Sequence, residues 1–413
     1  MQPISQYQVD HLFLLIGTNP LPNYVAAKLL SRDPKSTILW LVHSRDTAPA
    51  RDTLEHELHE EGFQHFRSVQ VDESSPANIY KEVTRSATKL EGLVGLNYTG
   101  GTKAMAVHAY RALDAIKELR VQYSYLDART LTMQLEGHNI PTGITISDVV
   151  QRMPVKIEKI LALHGLTKFV NQMSRQARWP AVIEALVEIC DRNDLVEQWR
   201  EWRTAHLRHK GAFITDLGKL TTADLPFEGL REGFRREYPS EPWPIPFARL
   251  VAMAPFPKAD DLPRWLDGSW LEHYVFMQLK PLQDNATLAD LALSLNPALI
   301  NEDTPKDTPP EFEFDVAATR GYQLFACSVT ISSHASKCRE KLVEALVRAE
   351  QLGGSEARVA LICNVDNPDQ LHKQVSKLFH QSRSRVFGRK HLRSLKTELA
   401  DWIEDVSRNQ EGQ

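Results

Sequence analysis

The chain has 413 residues, of which 42% are apolar and 25% charged, with a formal net charge of -4. That length exceeds one ordinary core, and the composition excludes disordered, collagen-like and coiled-coil classes. The near-neutral total leaves nucleic-acid binding open, because a clustered basic face rather than the sum attracts phosphate.

The four cysteines, Cys190, Cys327, Cys338 and Cys363, have neither CxxC spacing nor a paired-histidine complement. They read as reduced core residues of a cytoplasmic protein, not as a zinc ribbon or disulfide framework. The early apolar run over 12–16 stops at Gly17-Thr18-Asn19-Pro20, far short of a spanning helix and without a basic leader, so neither membrane association nor export is expected.

From residue 11 to 137, short apolar runs (11–16, 38–43, 66–71, 93–97, 121–126) alternate with amphipathic stretches near 21–32, 48–61, 76–90 and 103–118. This βαβ rhythm predicts a doubly wound, largely parallel sheet covered by helices. In such sheets ligands bind beyond the carboxyl ends of the strands, where helix N-termini present unpaired amides to anions. Three loops follow strands there: Gly17-Thr18-Asn19-Pro20, Ser44-Arg45-Asp46-Thr47 and Tyr98-Thr99-Gly100-Gly101-Thr102-Lys103. Paired glycines let the main chain approach a ligand, Thr99 and Thr102 can donate or cap, and Lys103 adds positive charge to the first helical turn. Thr18, Asn19, Ser44, Arg45, Thr99, Gly100, Gly101, Thr102 and Lys103 are therefore the candidate anion-binding residues. No GxGxxG follows the first strand, and Gly-Gly-Thr-Lys-Ala is not a P-loop, so dehydrogenase and P-loop NTPase readings fall away. His56-Glu57-Leu58-His59 has its histidines three apart, which reads as a solvated helix face rather than a metalloprotease site.

Residues 140–265 read as helical, most clearly over 150–163 and 179–190, with a Pro-rich connector over 239–263. Trp199 and Trp202 lie among Arg200, Arg203 and Arg208, a pattern that suits a packing face better than base stacking.

A helix is expected from Gly268, its apolar residues surrounding one carboxylate, Glu272. A strand over 311–316 follows, in which alternation places Glu313 and Asp315 on one face, suggesting a divalent-metal site. The turn at Arg320-Gly321 makes a hairpin with 322–328; then come a helix over 336–352, ended by Gly353-Gly354, and a strand over 358–363. This is the layout of metal-dependent nucleases, in which hard oxygen ligands hold magnesium or manganese to activate water. The run over 380–393 concentrates positive charge, with Arg383, Arg385, Arg389, Lys390 and Arg393 as candidate phosphate contacts.

On these residues the chain resembles the CRISPR-associated Rossmann-fold (CARF) effectors whose second domain is a PD-(D/E)xK-type nuclease. The most specific matches are Gly17-Thr18-Asn19-Pro20, 97–105, 268–272 and 313–316. The resemblance implies an α/β architecture of a Rossmann-like CARF sensor (1–140), a helical connector (141–265) and a restriction-endonuclease-like α/β domain (266–413). It implies activation by cyclic oligoadenylate, with tetra-adenylate favoured, across a homodimer, and cleavage of RNA or DNA with Mg2+ or Mn2+ in type III CRISPR antiviral defence. Where the family carries Glu-x-Lys on the second hairpin strand, this chain has Ala326-Cys327-Ser328. Either the nuclease is inactive and the protein signals by binding nucleic acid or a partner, or its groups have migrated. For migration the expected set is Glu272, Glu313, Asp315 and Lys341 (with Lys337 an alternative), the metal held by Glu272, Asp315 and the Cys327 carbonyl. A sensor that also cleaves its ligand through Thr18, Ser44 or Lys103, and a transcription regulator, are minor alternatives.

Overall fold

In the computed structural model the described residues are 4–408, excepting 128–129, 138–139, 170–172, 255, 257, 299–311 and 378–382. The first part runs β1 (His11–Leu15), α1 (Leu21–Leu30), β2 (Ile38–His43), α2 (Ala48–Glu60), β3 (His65–Gln70), α3 (Pro76–Ala87), β4 (Leu93–Asn97), α4 (Lys103–Asp114), β5 (Arg120–Asp127), β6 (Thr132–Gly137) and β7 (Ile140–Ile146). The sheet order is β3-β2-β1-β4-β5-β6-β7, parallel through β5 and antiparallel beyond it. Leu12 and Leu14 pack with α1 and α2 on one face, while Phe13 and Leu15 pack with α3 and α4 on the other. A strand buried on both sides has no polar face, which is why β1 reads as a continuous apolar run. The predicted doubly wound class is thus borne out, with β6 and β7 added and the sheet extending to Ile146.

The connecting region holds α5 (Val149–Arg152), α6 (Ile157–Ala162), β8 (Lys168–Phe169), α7 (Pro180–Asp191), α8 (Asn193–His206), β9 (Arg208–His209), β10 (Ala212–Phe213), α9 (Glu228–Glu237), α10 (Phe247–Met253) and α11 (Asp261–Arg264). The single amphipathic helix expected over 150–163 is two, separated at Met153–Lys156, where Pro154 cannot continue the ladder. Trp199 and Trp202 are buried and stack on each other at 5.2 Å, so they form a packing face.

The last part contains α12 (Trp270–Asp284), β11 (Asp290–Leu295), β12 (Pro297–Ala298), β13 (Phe314–Arg320), β14 (Gln323–Val329), α13 (Ala335–Gly353), β15 (Arg358–Ile362), α14 (Pro368–Ser376), β16 (Ser384–Phe387) and α15 (Leu395–Arg408). Its sheet order is β11-β13-β14-β15-β16, with β13 and β14 forming the expected hairpin and β14, β15 and β16 running parallel. The strand predicted over 311–316 begins at Phe314, and Glu311 lies outside the described residues. The core under α1 and α2 continues through α6 into the face of this second sheet covered by α13, so sensor-like and nuclease-like halves share one apolar body. No helix among the described residues is long and apolar enough to cross a membrane.

Candidate functional site

The parallel neighbours β2, β1 and β4 bring their carboxyl-terminal loops together, and chain order reverses between β1 and β4. That is the switch point at which open α/β sheets bind ligands. The β1 and β4 loops touch main chain to main chain. A methyl group on Gly100 would lie 2.2 Å from the Leu15 carbonyl oxygen, and one on Gly17 would lie 3.2 Å from the Gly101 nitrogen. Gly101 has φ +72°, a conformation that favours glycine. Asn23, buried in α1, donates from Nδ2 to the Leu15 carbonyl at 3.0 Å and braces the same junction, a role its sequence context did not announce. Thr102 caps α4 by accepting from the Met105 amide at 3.2 Å.

The predicted binding residues divide on this frame. Thr18, Arg45, Thr102 and Lys103 are exposed around the loop junction. Thr99 accepts from the Leu126 amide at 2.7 Å, so its hydroxyl braces the loop against β5. Ser44 is buried and interlocked with Thr47, its Oγ accepting from the Thr47 amide at 3.3 Å and its own amide donating to Thr47 Oγ1 at 3.0 Å. Asn19 accepts at Oδ1 from the Leu21 amide at 2.9 Å, and its buried Nδ2 lies beside Gly354.

The second cluster sits at the edge of the other sheet where β13 starts and β14, β15 and β16 end. Asp315, 6% exposed, accepts at Oδ2 from the Val329 amide at 2.5 Å. Lys341, in the second turn of α13, reaches over the strand end, donating to the Val329 carbonyl at 3.4 Å and standing 4.0 Å from Asp315 Oδ2. Glu272 comes from the first turn of α12. Burial, reinforced by the charges of Asp315 and Glu313, pushes the Glu272 carboxyl well above its ordinary range. Burial also raises Asp315 to about 6, against the opposing pull of Lys341 and the Val329 amide. Glu313 is exposed just outside the strand, so it contributes charge to the site without being enclosed in it.

Alternation along β14 places Ala326 with the α13 core, and Cys327 and Val329 with the α12 core. Burial and the charge of Asp315 push the Cys327 thiol up to about 12. Val316 and its β14 partner Cys327 both lie in the α12 core, so Asp315, the next residue along β13, shares the other face with Ala326 and Ser328, the face covered by α13. Neither Ala326 nor Ser328 supplies the Glu or Lys of the family pattern. The predicted substitute, Lys341, is brought to Asp315; Lys337 has no interaction with it among those described.

Among the described residues no three His, Cys, Asp or Glu side chains are gathered into a metal cage. The donors still suit a magnesium-like ion, which is commonly held by one or two carboxylates with water and substrate phosphate completing its shell. Two carboxyls raised by burial, Glu272 also by the charge of Asp315 and both by that of Glu313, are relieved by a bound cation.

The predicted basic face is divided. Arg389, Lys390 and Arg393 lie at the Asp315 edge, paired with Asp366 (3.2 Å), Asp369 (2.9 Å) and Asp191 (2.8 Å). Arg383 opens β16 at the opposite edge and pairs with Glu350 of α13 at 3.0 Å. Arg385 is exposed within β16, and residues 380–382 lie outside the described residues. Sequence reasoning missed Asp267, just ahead of α12, which is bracketed by Arg203 (3.0 Å) and Arg208 (2.7 Å) and ties the connector to this edge.

A Rossmann-like sheet with a glycine-built loop at its switch point, joined to a second mixed sheet whose edge gathers buried carboxylates and a lysine, defines a two-part α/β chain. That architecture is shared with Can2 from Sulfobacillus thermosulfidooxidans, solved in complex with cyclic tetra-adenylate (TM-score 0.66, 15% identity, 95% of this chain and 99% of that one). It is shared also with protein VC1899 from Vibrio cholerae (TM-score 0.60, 14% identity, 96% of this chain and 98% of that one). No protein-family model matches the chain, and no curated protein matches it in sequence.

Proposed function

We propose that the chain is a cyclic-oligoadenylate-activated, metal-dependent nuclease of type III CRISPR defence, working as a homodimer on RNA or DNA. The observation that carries this reading is the meeting of Asp315, Glu272 and Lys341 at one sheet edge, in a chain that shares its fold end to end with Can2.

The sensor loops receive the activator. Phosphates lie against the α4 N-terminus, whose free amides and the Lys103 side chain favour negative charge, while Thr18, Arg45 and Thr102 supply polar contacts from the neighbouring loops. Tetra-adenylate is the favoured ring, after the ligand of Can2. Val107 on α4 is 54% exposed and Tyr125 on β5 is also exposed, an apolar surface beside the anion loop that a second copy would cover.

At the nuclease edge, Glu272, Asp315 and the Cys327 carbonyl would hold Mg2+ or Mn2+. Such an ion would supply charge stabilisation at the phosphate and acidify the attacking water. Val329 fixes the orientation of Asp315 through its amide, and the Lys341 ammonium takes the place of the family lysine, offsetting charge that builds on the scissile phosphate. Arg385 and the Arg389–Arg393 segment guide the strand.

The competing reading is a sensor that binds without cutting, favoured by the absence of Glu and Lys from β14. Asp315→Ala separates them. A nuclease loses cleavage with activator affinity unchanged; a binding-only protein shows no manganese-dependent cleavage before or after the substitution.

A further inference from the structure

The sensor loop and the nuclease-like edge are connected by one helix. α13 carries Lys341 near its start and ends at Gly353, so about 20 Å of helix at 1.5 Å per residue separates Lys341 from Gly354. At that far end a methyl group on Gly354 would lie 2.8 Å from Asn19 Nδ2, in the loop after β1. This Asn19 nitrogen is buried without a hydrogen-bond partner, although its Oδ1 is used by Leu21. Gly354 has φ +68° and ψ -155°, a backbone state open essentially to glycine alone, so the close approach is built into the chain. A second strut runs beside the first: Lys159 of α6 pairs with Glu57 of α2 at 2.6 Å, and His164, just past α6, meets the Leu352 carbonyl at 3.0 Å. At the near end Lys341 stands 4.0 Å from Asp315, outside hydrogen-bond reach, while it touches the Val329 carbonyl.

We infer that Asn19 is a positioning residue for Lys341, with α13 as the rigid coupler between the β1 loop and the nuclease edge. Filling the sensor cleft moves the β1 loop, the Asn19 amide presses on or releases Gly354, and α13 shifts along the sheet. Packed helices slide by 1–2 Å in such transitions, which is enough to close or open a 4.0 Å separation between Lys341 and Asp315. The inference rests on the proposed function for what the shift achieves, and on the contacts at the two ends of α13 for how it travels.

The test uses the full-length chain and Asn19→Ser, which keeps a hydroxyl able to accept from Leu21 but removes the amide at Gly354. Calorimetry measures cyclic tetra-adenylate affinity, kinetics with manganese give kcat and KM with and without activator, and amide hydrogen exchange follows α13. The variant should bind activator within about three-fold of wild type and lose about ten-fold or more of the activator-dependent rise in kcat with KM unchanged. The ligand-induced change in exchange around Lys341 should vanish with it. Normal activation of the variant, or an unaltered exchange response, overturns the coupling. If wild type binds activator but cuts nothing, the nuclease reading has failed and exchange decides: a response around Lys341 that Asn19→Ser removes supports the coupling, and no response, or one that survives in the variant, overturns it. If wild type binds no activator, the sensor reading has failed and the ligand-free proteins decide: altered exchange around Lys341 in the variant supports the contact as a positioning device, and identical exchange overturns it.

Discussion

Lys341 and Asp315 are tied to the same residue, Val329: its carbonyl accepts from Lys341 at 3.4 Å and its amide donates to Asp315 at 2.5 Å, leaving ammonium and carboxylate 4.0 Å apart. The end of β14 thus holds a cation from a helix against a carboxylate from the neighbouring strand without any charged residue of its own facing them.

Lys341→Met should cut activated cleavage by about 10²-fold to 10³-fold with activator affinity unchanged. Removing the cation also lets Asp315 rise further above about 6, so the acid limb of the pH–rate profile should move to higher pH. Single-turnover rates across pH 5 to 9 check both. An unchanged rate would return Lys341 to the role of an ordinary helix lysine.

The raised Asp315 acid has a consequence for folding. A carboxyl whose folded value lies above its ordinary one adds stability at low pH, lost as pH climbs through about 6. Asp315→Asn should therefore raise the melting temperature at pH 8, by about 2 to 5 °C for a contribution of at most about 3 kcal/mol, and have little effect near pH 4. Manganese should stabilise the wild type at pH 8 and not the variant, because binding to the folded state alone raises apparent stability. Thermal melts at the two pH values, with and without metal, are the measurement.

In the sensor, Gly100→Ala places a methyl group against the Leu15 carbonyl and should abolish measurable cyclic-oligoadenylate binding. Lys103→Ala, on an exposed residue at the α4 N-terminus, should leave the fold intact and weaken binding by about five-fold to ten-fold, with a shallower salt dependence. Calorimetry at two salt concentrations distinguishes the two effects.

Arg385→Ala should weaken nucleic-acid binding and lower the salt slope by about 1, as expected for one lost phosphate contact. Arg383→Ala should do neither, because Arg383 pairs with Glu350 at the opposite edge of the sheet. Filter binding across a salt series reads both.

The parallel core of the first sheet was legible because β1 is apolar from Leu12 to Leu15, the loops after β1 and β4 carry glycine, and all three loops carry hydroxyls. β6 and β7 were not, since their mixed polar composition hides strands at the open side of a sheet. Glu272 was visible as a lone carboxylate among apolar residues, and Asp315 as one of two, with Glu313, on one face of a strand. Their partners were harder: Lys341 looks like any helix lysine, and only the helix crossing over β14 brings it to Asp315. Charge along 383–393 is plain in the sequence, while the carboxylates that occupy most of it, Glu350, Asp366, Asp369 and Asp191, come from elsewhere in the chain.

The most direct test of the account is cleavage of single-stranded RNA, single-stranded DNA and supercoiled plasmid by the full-length protein with manganese, with and without cyclic tetra- and hexa-adenylate. The account predicts cleavage that requires both metal and activator and disappears in Asp315→Ala and Lys341→Met. Tight activator binding with every substrate left intact would contradict it, and would make the loss of Glu and Lys from β14 a true loss of catalysis.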